Sequence, residues 1–354
     1  MIFCLSLHSI SRAQTPDHDI TDETPSVSPE AAPPASQKTA PSINKPTRVR
    51  TLKKSDSAND PSLDISRLSY FAHQNNFQIY TRLIYPFENS IDALATRARV
   101  QVETNTSTNS VTFDTGVGYG ITNWLRVGIT ENFLLSSGSF TRIPPATTYG
   151  EVYSQGPSDP IYSITCRFLD PHSLGLSADI SLSVSPSSGN HFLGEPGQFG
   201  DNYRGFATSI ISLPAYFSQR ANDIGLAVSA TQNSAGGATG STLANSYTKT
   251  SSVVYGASII DRLHFSWFYL QGELDVNMPY TTQQTNGVGV VKTINLPAIV
   301  SQKYLAGFRL NSRAALETEL TVTEYNLSST ADDGTSTSYE QKSSNFILQL
   351  RFGF

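Results

Sequence analysis

The chain has 354 residues, only 15% of them charged, with a formal net charge of −5, a balance that excludes nucleic-acid binding through bulk electrostatics. Mean hydropathy is −0.23, and no apolar run reaches the roughly 18 residues that a membrane-spanning helix needs. A membrane strand is not excluded, because it hides its apolar face behind every second residue and looks soluble on average. Of the two cysteines, Cys4 lies in a segment expected to be removed. Cys166 is then alone, and neither a disulfide nor a cysteine metal site is available.

Residues 1–13 read as the tail of a signal peptide. Ile2 to Leu7 form a short apolar core, and Ser11 and Ala13 are small residues at the −3 and −1 positions of a cleavage site. The basic n-region is missing, which points to an earlier start; the opposed reading is an uncleaved, disordered terminus. Residues 14–62 hold eight prolines and no aromatic residue. Such a segment cannot bury enough apolar area to offset its ordering entropy and reads as a disordered linker. Residues 63–96 are ambiguous. Ile65, Leu68 and Phe71 have helical spacing, whereas Phe77, Ile79, Leu83 and Tyr85 alternate like a strand. A periplasmic adaptor, a plug and an extra strand all fit.

From residue 97 the pattern is regular. Strands are predicted near 97–104, 110–120, 124–135, 160–169, 175–185, 204–217, 223–231, 249–260, 265–277, 301–311, 314–327 and 343–354. Short connections (121–123, 170–174, 218–222, 261–264, 312–313) alternate with long ones rich in Ser, Thr, Gly and Asn (136–159, 186–203, 232–248, 278–300, 328–342); a shorter one, 105–109, begins that second series. Alternating short turns and long loops is the pattern of an outer-membrane barrel with both termini periplasmic. Residues 97–354 therefore predict an all-β, antiparallel up-and-down transmembrane barrel of about twelve strands.

The last strand carries the chemistry most plainly. Phe346, Leu348, Leu350, Phe352 and Phe354 share one face; Asn345, Gln349 and Arg351 share the other. Leu316, Leu320 and Val322 oppose Glu317, Glu319, Thr321 and Thr323 in the same way. A soluble β-sandwich also alternates, but it explains neither the two series of connections nor the terminal aromatic strand. Phe354 is read as the membrane-insertion signal, which makes the barrel-assembly machinery a partner beside outer-membrane lipid and lipopolysaccharide.

Extending the parity inward gives a candidate permeation path: Arg97, Arg99, Arg126, Arg167, Lys303, Arg309 and Arg351, with Asp114, Asp179, Glu273, Asp275, Glu317 and Glu319, and Glu103 on the same parity. These are seven charges of each sign, so the wall is not strongly ion-selective. A polar path lined by charge ladders and a plugged interior filled by ion pairs fit equally. Gly116, Gly118 and Gly120 share lumen parity; GVGYG continues as strand with no helix after it, so barrel curvature is favoured over nucleotide binding. No catalytic set is expected. His172-Ser173 and His264-Phe265-Ser266 fall at the periplasmic end, whereas lipid hydrolysis needs its pair at the outer leaflet. Asp332-Asp333 belongs to an ordinary Asp-Asp-Gly turn. Neither cofactor nor metal is expected.

Three segments together, GVGYGITNWLRVGI (116–129), GPSDPIYSITCRF (156–168) and ISLSVSPSSG (180–189), resemble the outer-membrane transporter family labelled meta-pathway of phenol degradation. Members read as strand, YGITD, strand, then GxGD, then a strand ending P-T-G. Here Asn123 replaces the Asp, and the later motifs are Gly156-Pro157-Ser158-Asp159 and Pro186-Ser187-Ser188-Gly189. The resemblance covers residues 110–190 and implies passive passage of small solutes, including hydrophobic or aromatic compounds. The opposed readings are a structural or adhesive barrel without an open pore, and an outer-membrane hydrolase.

Overall fold

A computed structural model describes residues 64–354 apart from 72–73, 98–99, 144–147, 158, 171–174, 187–202, 205–206, 220 and 239–246. The expectations for residues 1–62, Arg99 and His172-Ser173 lie outside the described residues.

The architecture is a closed antiparallel barrel of twelve strands, several broken once along their length. In chain order they are β1 (Phe77–Arg97), β2 (Val100–Gly120), β3 (Leu125–Ile143), β4 (Thr148–Pro157 with Ile161–Leu169), β5 (Leu176–Ser185) and β6 (Tyr203–Arg204 with Thr208–Ser218). There follow β7 (Asn222–Asn233 with Gly236–Ala238), β8 (Tyr247–Lys249 with Ser252–His264), β9 (Phe268–Asn277 with Tyr280–Asn286), β10 (Val291–Leu296 with Ile299–Asn311), β11 (Ala314–Ala331) and β12 (Ser336–Gly353). Each pairs with its sequence neighbour, and β12 returns to β1 in register from Gln78↔Gly353 to Thr96↔Ser336. The Phe354 amide donates to the Phe77 carbonyl at 3.0 Å and seals the seam. Closure leaves no unpaired edge, which a sheet in hydrocarbon requires.

The connections after β2, β4, β6, β8 and β10 stand at the end where β1 begins and β12 finishes, here the terminal end; the remaining connections join strands at the distal end. Alternation decides the faces. On β12, Leu348, Leu350, Phe352 and Phe354 are exposed, while Gln349 and Arg351 are buried. The other strands repeat this. Ile180 and Leu182 point outward against buried Asp179, Ser181 and Ser183, and Leu274 points outward next to the inward Glu273 and Asp275. The exposed large hydrophobics form a band around the outside, with Trp124, Phe168, Phe265, Trp267 and Phe354 at the terminal end. Burial is thus inverted relative to a soluble protein, with apolar side chains outside and polar ones inside.

Three expectations are corrected. The first strand is Phe77–Arg97, not 97–104, and residues 100–104 and 110–120 both belong to β2. The connection at 105–109 does not exist: those residues lie within β2, which begins at Val100. The barrel therefore starts at Phe77, twenty residues before 97. Three long connections shrink as well: 278–300 and 328–342 are mostly hairpin strand, with turns at 287–290 and 332–335, and 136–159 contains the paired ends of β3 and β4. The distal hairpins carry no regular apolar alternation, although Ile294, Leu296 and Ile299 lie in them, and their backbone pairing continues; β1 is hidden instead by the register shift between Pro86 and Glu88. Asp64–Phe71 is not a strand and lies within the barrel, so the ambiguous 63–96 segment divides into an internal plug and β1.

Candidate functional site

The interior of the terminal half is a lattice of charge pairs spread around the wall. Arg167 grips Asp179 across β4 and β5 with both branches, Nε to Oδ1 at 2.8 Å and Nη2 to Oδ2 at 3.1 Å. Such bidentate geometry suits the planar guanidinium. Lys303 on β10 bridges Glu273 at 2.6 Å and Asp275 at 2.5 Å on β9. Glu317 is 1% exposed and receives three donors: Arg351 Nη1 at 2.9 Å, Gln349 Nε2 at 2.9 Å and Tyr269 Oη at 2.5 Å. Glu319 accepts from Thr321 at 3.0 Å. Asp114 takes Arg82 Nη2 at 2.6 Å. Pairing of this quality is what allows ionised groups to be buried at all.

Two tyrosines extend the lattice over bare backbone. The Tyr80 ring crosses β2 at Gly116, where a Cβ would come within 2.3 Å, and its hydroxyl meets Thr130 on β3 at 2.7 Å. Tyr269 crosses β10 at Gly307, where a Cβ would come within 2.1 Å, to reach Glu317 on β11. At Gly116 close approach of another side chain, rather than curvature alone, uses the missing Cβ.

The floor of the barrel at the terminal end is Asp64–Phe71. Ile65, Ser66, Ser69, Tyr70 and Phe71 are all 2% exposed or less. The Ile65 amide donates to the Ser312 carbonyl at 3.2 Å, and Ile65 and Tyr70 pack with Ala315 of β11. Arg309 holds Asp64 at 3.1 Å and Ser66 Oγ at 2.8 Å. Arg262 of β8 donates to the Ser66 carbonyl. Asp223 of β7, fully buried, accepts from Arg67 at 2.8 Å and from the Leu68 amide at 3.0 Å, and pairs with His264 Nε2 at 2.9 Å. Ser218 of β6 meets Ser69, hydroxyl to hydroxyl, at 2.8 Å. Phe71 ends the segment against Arg126 and Arg167 of β3 and β4, whose guanidinium carbons lie 5.0 and 4.4 Å from its ring centroid. The segment therefore touches seven strands of the wall. Asn75, at φ 65°, then turns the chain into β1, with Tyr119 Oη donating to its side chain at 2.9 Å; Asn tolerates that left-handed backbone.

Of the residues expected along the path, Asp114, Arg126, Arg167, Asp179, Glu273, Asp275, Lys303, Glu317, Glu319 and Arg351 face inward in the terminal half. Arg309 also faces inward and binds the floor at Asp64. Arg97 and Glu103 are corrections. Both lie far up the first hairpin. Arg97 is 63% exposed and 3.3 Å from Asp333 in the 332–335 turn, and Glu103 pairs with Leu94 on the outer face. Asp333 closes its own turn by accepting the Thr335 amide at 2.9 Å, and this bonding holds its carboxyl below the ordinary value. Sequence reading missed Arg82, because β1 was ambiguous, and Arg262, because β8 was ended at 260. Parity extended two residues past Ser258 and Ile260 would have found Arg262. His264 faces Asp223, while Ser266 is exposed in the turn.

No family model matches the chain, and no curated protein matches it. Among solved structures, the COG4313 outer membrane channel from Pseudomonas putida F1 superposes with a TM-score of 0.51 at 13% identity, covering 79% of this chain and 96% of that one. The transport unit of the autotransporter AIDA-I from Escherichia coli gives 0.44 at 9% identity, covering 79% and 91%. A Pseudomonas aeruginosa FadL homologue gives 0.38 at 9% identity, covering 85% and 93%. At the identity of the first of these, the likeness establishes the barrel fold.

Proposed function

We propose that this chain is an outer-membrane channel for passive passage of small solutes, closed at its terminal end by Asp64–Phe71. One observation carries the reading. The barrel wall is complete, while the obstruction is a separate stretch of chain held mainly by hydrogen bonds and ion pairs to the wall. A barrel built only for rigidity needs no detachable floor, and side chains alone can fill a lumen of this strand number. The terminal end faces the periplasm in this reading, as short turns do in such barrels. Phe354, which seals the β12–β1 seam, then serves as the insertion signal for the barrel-assembly machinery. The apolar band meets lipid, and the distal hairpins stand among lipopolysaccharide. The solute class implied by the family resemblance, hydrophobic or aromatic compounds, is carried forward here.

The opposed reading is a closed structural barrel, favoured by the same floor and by the density of the ion pairs around it. Planar-bilayer recording separates the two. Deleting residues 64–71 from the full chain is expected to raise single-channel conductance several-fold. Conductance that stays at the level of the full chain would support the structural barrel.

A further inference from the structure

We propose that the seat of the Phe71 ring is a binding site for a small aromatic carboxylate, with Arg126 and Arg167 as its recognition residues. The proposal rests on the channel reading above and names the solute class for it. The seat is built from two guanidiniums on adjacent strands facing one ring, Arg126 at 5.0 Å and Arg167 at 4.4 Å from its centroid. The two arginines differ. Arg167 is committed to Asp179 through two bonds. Arg126 is 6% exposed and has no carboxylate partner among the described residues. Its Nη2 donates to Thr165 Oγ1 at 3.2 Å, and its buried Nη1 has no partner among the described residues.

Charge and shape then specify the ligand. Arg126, Arg167 and Asp179 leave one positive charge in excess beside the ring; among the described residues the neutral Tyr70, Tyr216, Thr165 and Ser181 adjoin them, and the nearby Glu273 is held by Lys303. Guanidiniums attract the face of an aromatic ring. A buried guanidinium branch also gains from an anionic acceptor, which makes the stronger kind of hydrogen bond. Phe71 supplies the ring and nothing for Nη1. A benzoate-class ion supplies both, and its charge cancels the excess. Phe71 thus occupies the seat when the floor is in place, and a solute takes it when the floor leaves.

The probes are benzoate, toluene, which has the ring without the charge, and cyclohexanecarboxylate, which has the charge without the π face. Binding to the detergent-purified full chain is measured by calorimetry, with block of single-channel current as a second readout. In Phe71→Ala, benzoate is expected to bind at least about tenfold tighter than to the unaltered chain, and tenfold tighter than either other probe. Adding Arg126→Gln should erase the preference for benzoate over toluene. Arg126→Lys, which keeps the charge without the planar fork, should retain an intermediate preference. Heat-modifiable migration confirms that each variant is folded. Equal affinity for benzoate and toluene in folded Phe71→Ala, or a preference that survives Arg126→Gln, overturns the site. A Phe71→Ala barrel that conducts but is neither bound nor blocked by benzoate overturns the site and leaves the channel standing. Benzoate bound through Arg126 in a barrel that never conducts upholds the site and removes the channel.

Discussion

The two halves of the β11–β12 hairpin obey different rules. From Ala314 to Val322, outward Leu316 and Leu320 oppose inward Glu317 and Glu319, and β12 answers with outward Leu348 and Leu350 against inward Gln349 and Arg351. From Glu324 to Ala331 the ladder continues without a break to Thr330↔Ser336, but the outward residues are now Glu324, Asn326 and Ser328, facing Lys342, Glu340 and Ser338. Hydrogen bonding is the same in both halves; in the proposed membrane setting the surrounding solvent is not. An alternating pattern therefore records that a strand separates two media, and its absence does not record the end of the strand. With 18 residues each, β11 and β12 exceed the roughly 9–11 residues that a membrane strand needs.

Substitutions placed in each half test this contrast. The largest effect is expected at Glu317, which binds Arg351, Gln349 and Tyr269 at once. Glu317→Ala strands a buried guanidinium, and removing one partner of such a pair costs about 3–5 kcal/mol. Chemical unfolding of the purified barrel measures the loss; a change under about 1 kcal/mol, the cost of an exposed pair, would mean that water already relieves Arg351. Next comes the outer face. Leu320→Arg is expected to cost about 2–4 kcal/mol near the midplane, whereas Asn326→Arg, on the same face of the same strand, is expected to stay within about 0.5 kcal/mol. Equal penalties at the two positions would place the distal half of β11 in hydrocarbon and dissolve the contrast.

Sequence reading recovered what the two media imprint. The terminal halves of β2 to β12, their inward charges and the closing aromatic strand were all legible, because Leu316 to Val322 and Phe346 to Phe354 alternate with one exception each, outward Thr318 and inward Ile347. What it lost follows from the same physics. β1 was obscured because Pro86, Phe87 and Glu88 sit at a register shift that breaks its period between Pro86 and Glu88. With β1 lost, Arg97 was assigned to the lumen and Arg82 was overlooked. The distal hairpins were taken for loops because Ser and Thr suit both. The floor was only half visible. Ile65, Leu68 and Phe71 advertise burial, but their partners, Asp223, Arg262 and Arg309, lie more than 150 residues away in sequence, and no local pattern connects them.

The central claim is that the floor moves while the wall stays. Ser69 and Ser218 meet at 2.8 Å, hydroxyl to hydroxyl, so Ser69→Cys with Ser218→Cys places two thiols where a disulfide would tie the floor to β6. Single-channel current through the double variant, recorded before and after reduction, tests the claim most directly. The account predicts a low, steady conductance when oxidised and a higher, fluctuating conductance once the bond is reduced. Identical currents in the two states, with the disulfide confirmed by mass spectrometry, would contradict it.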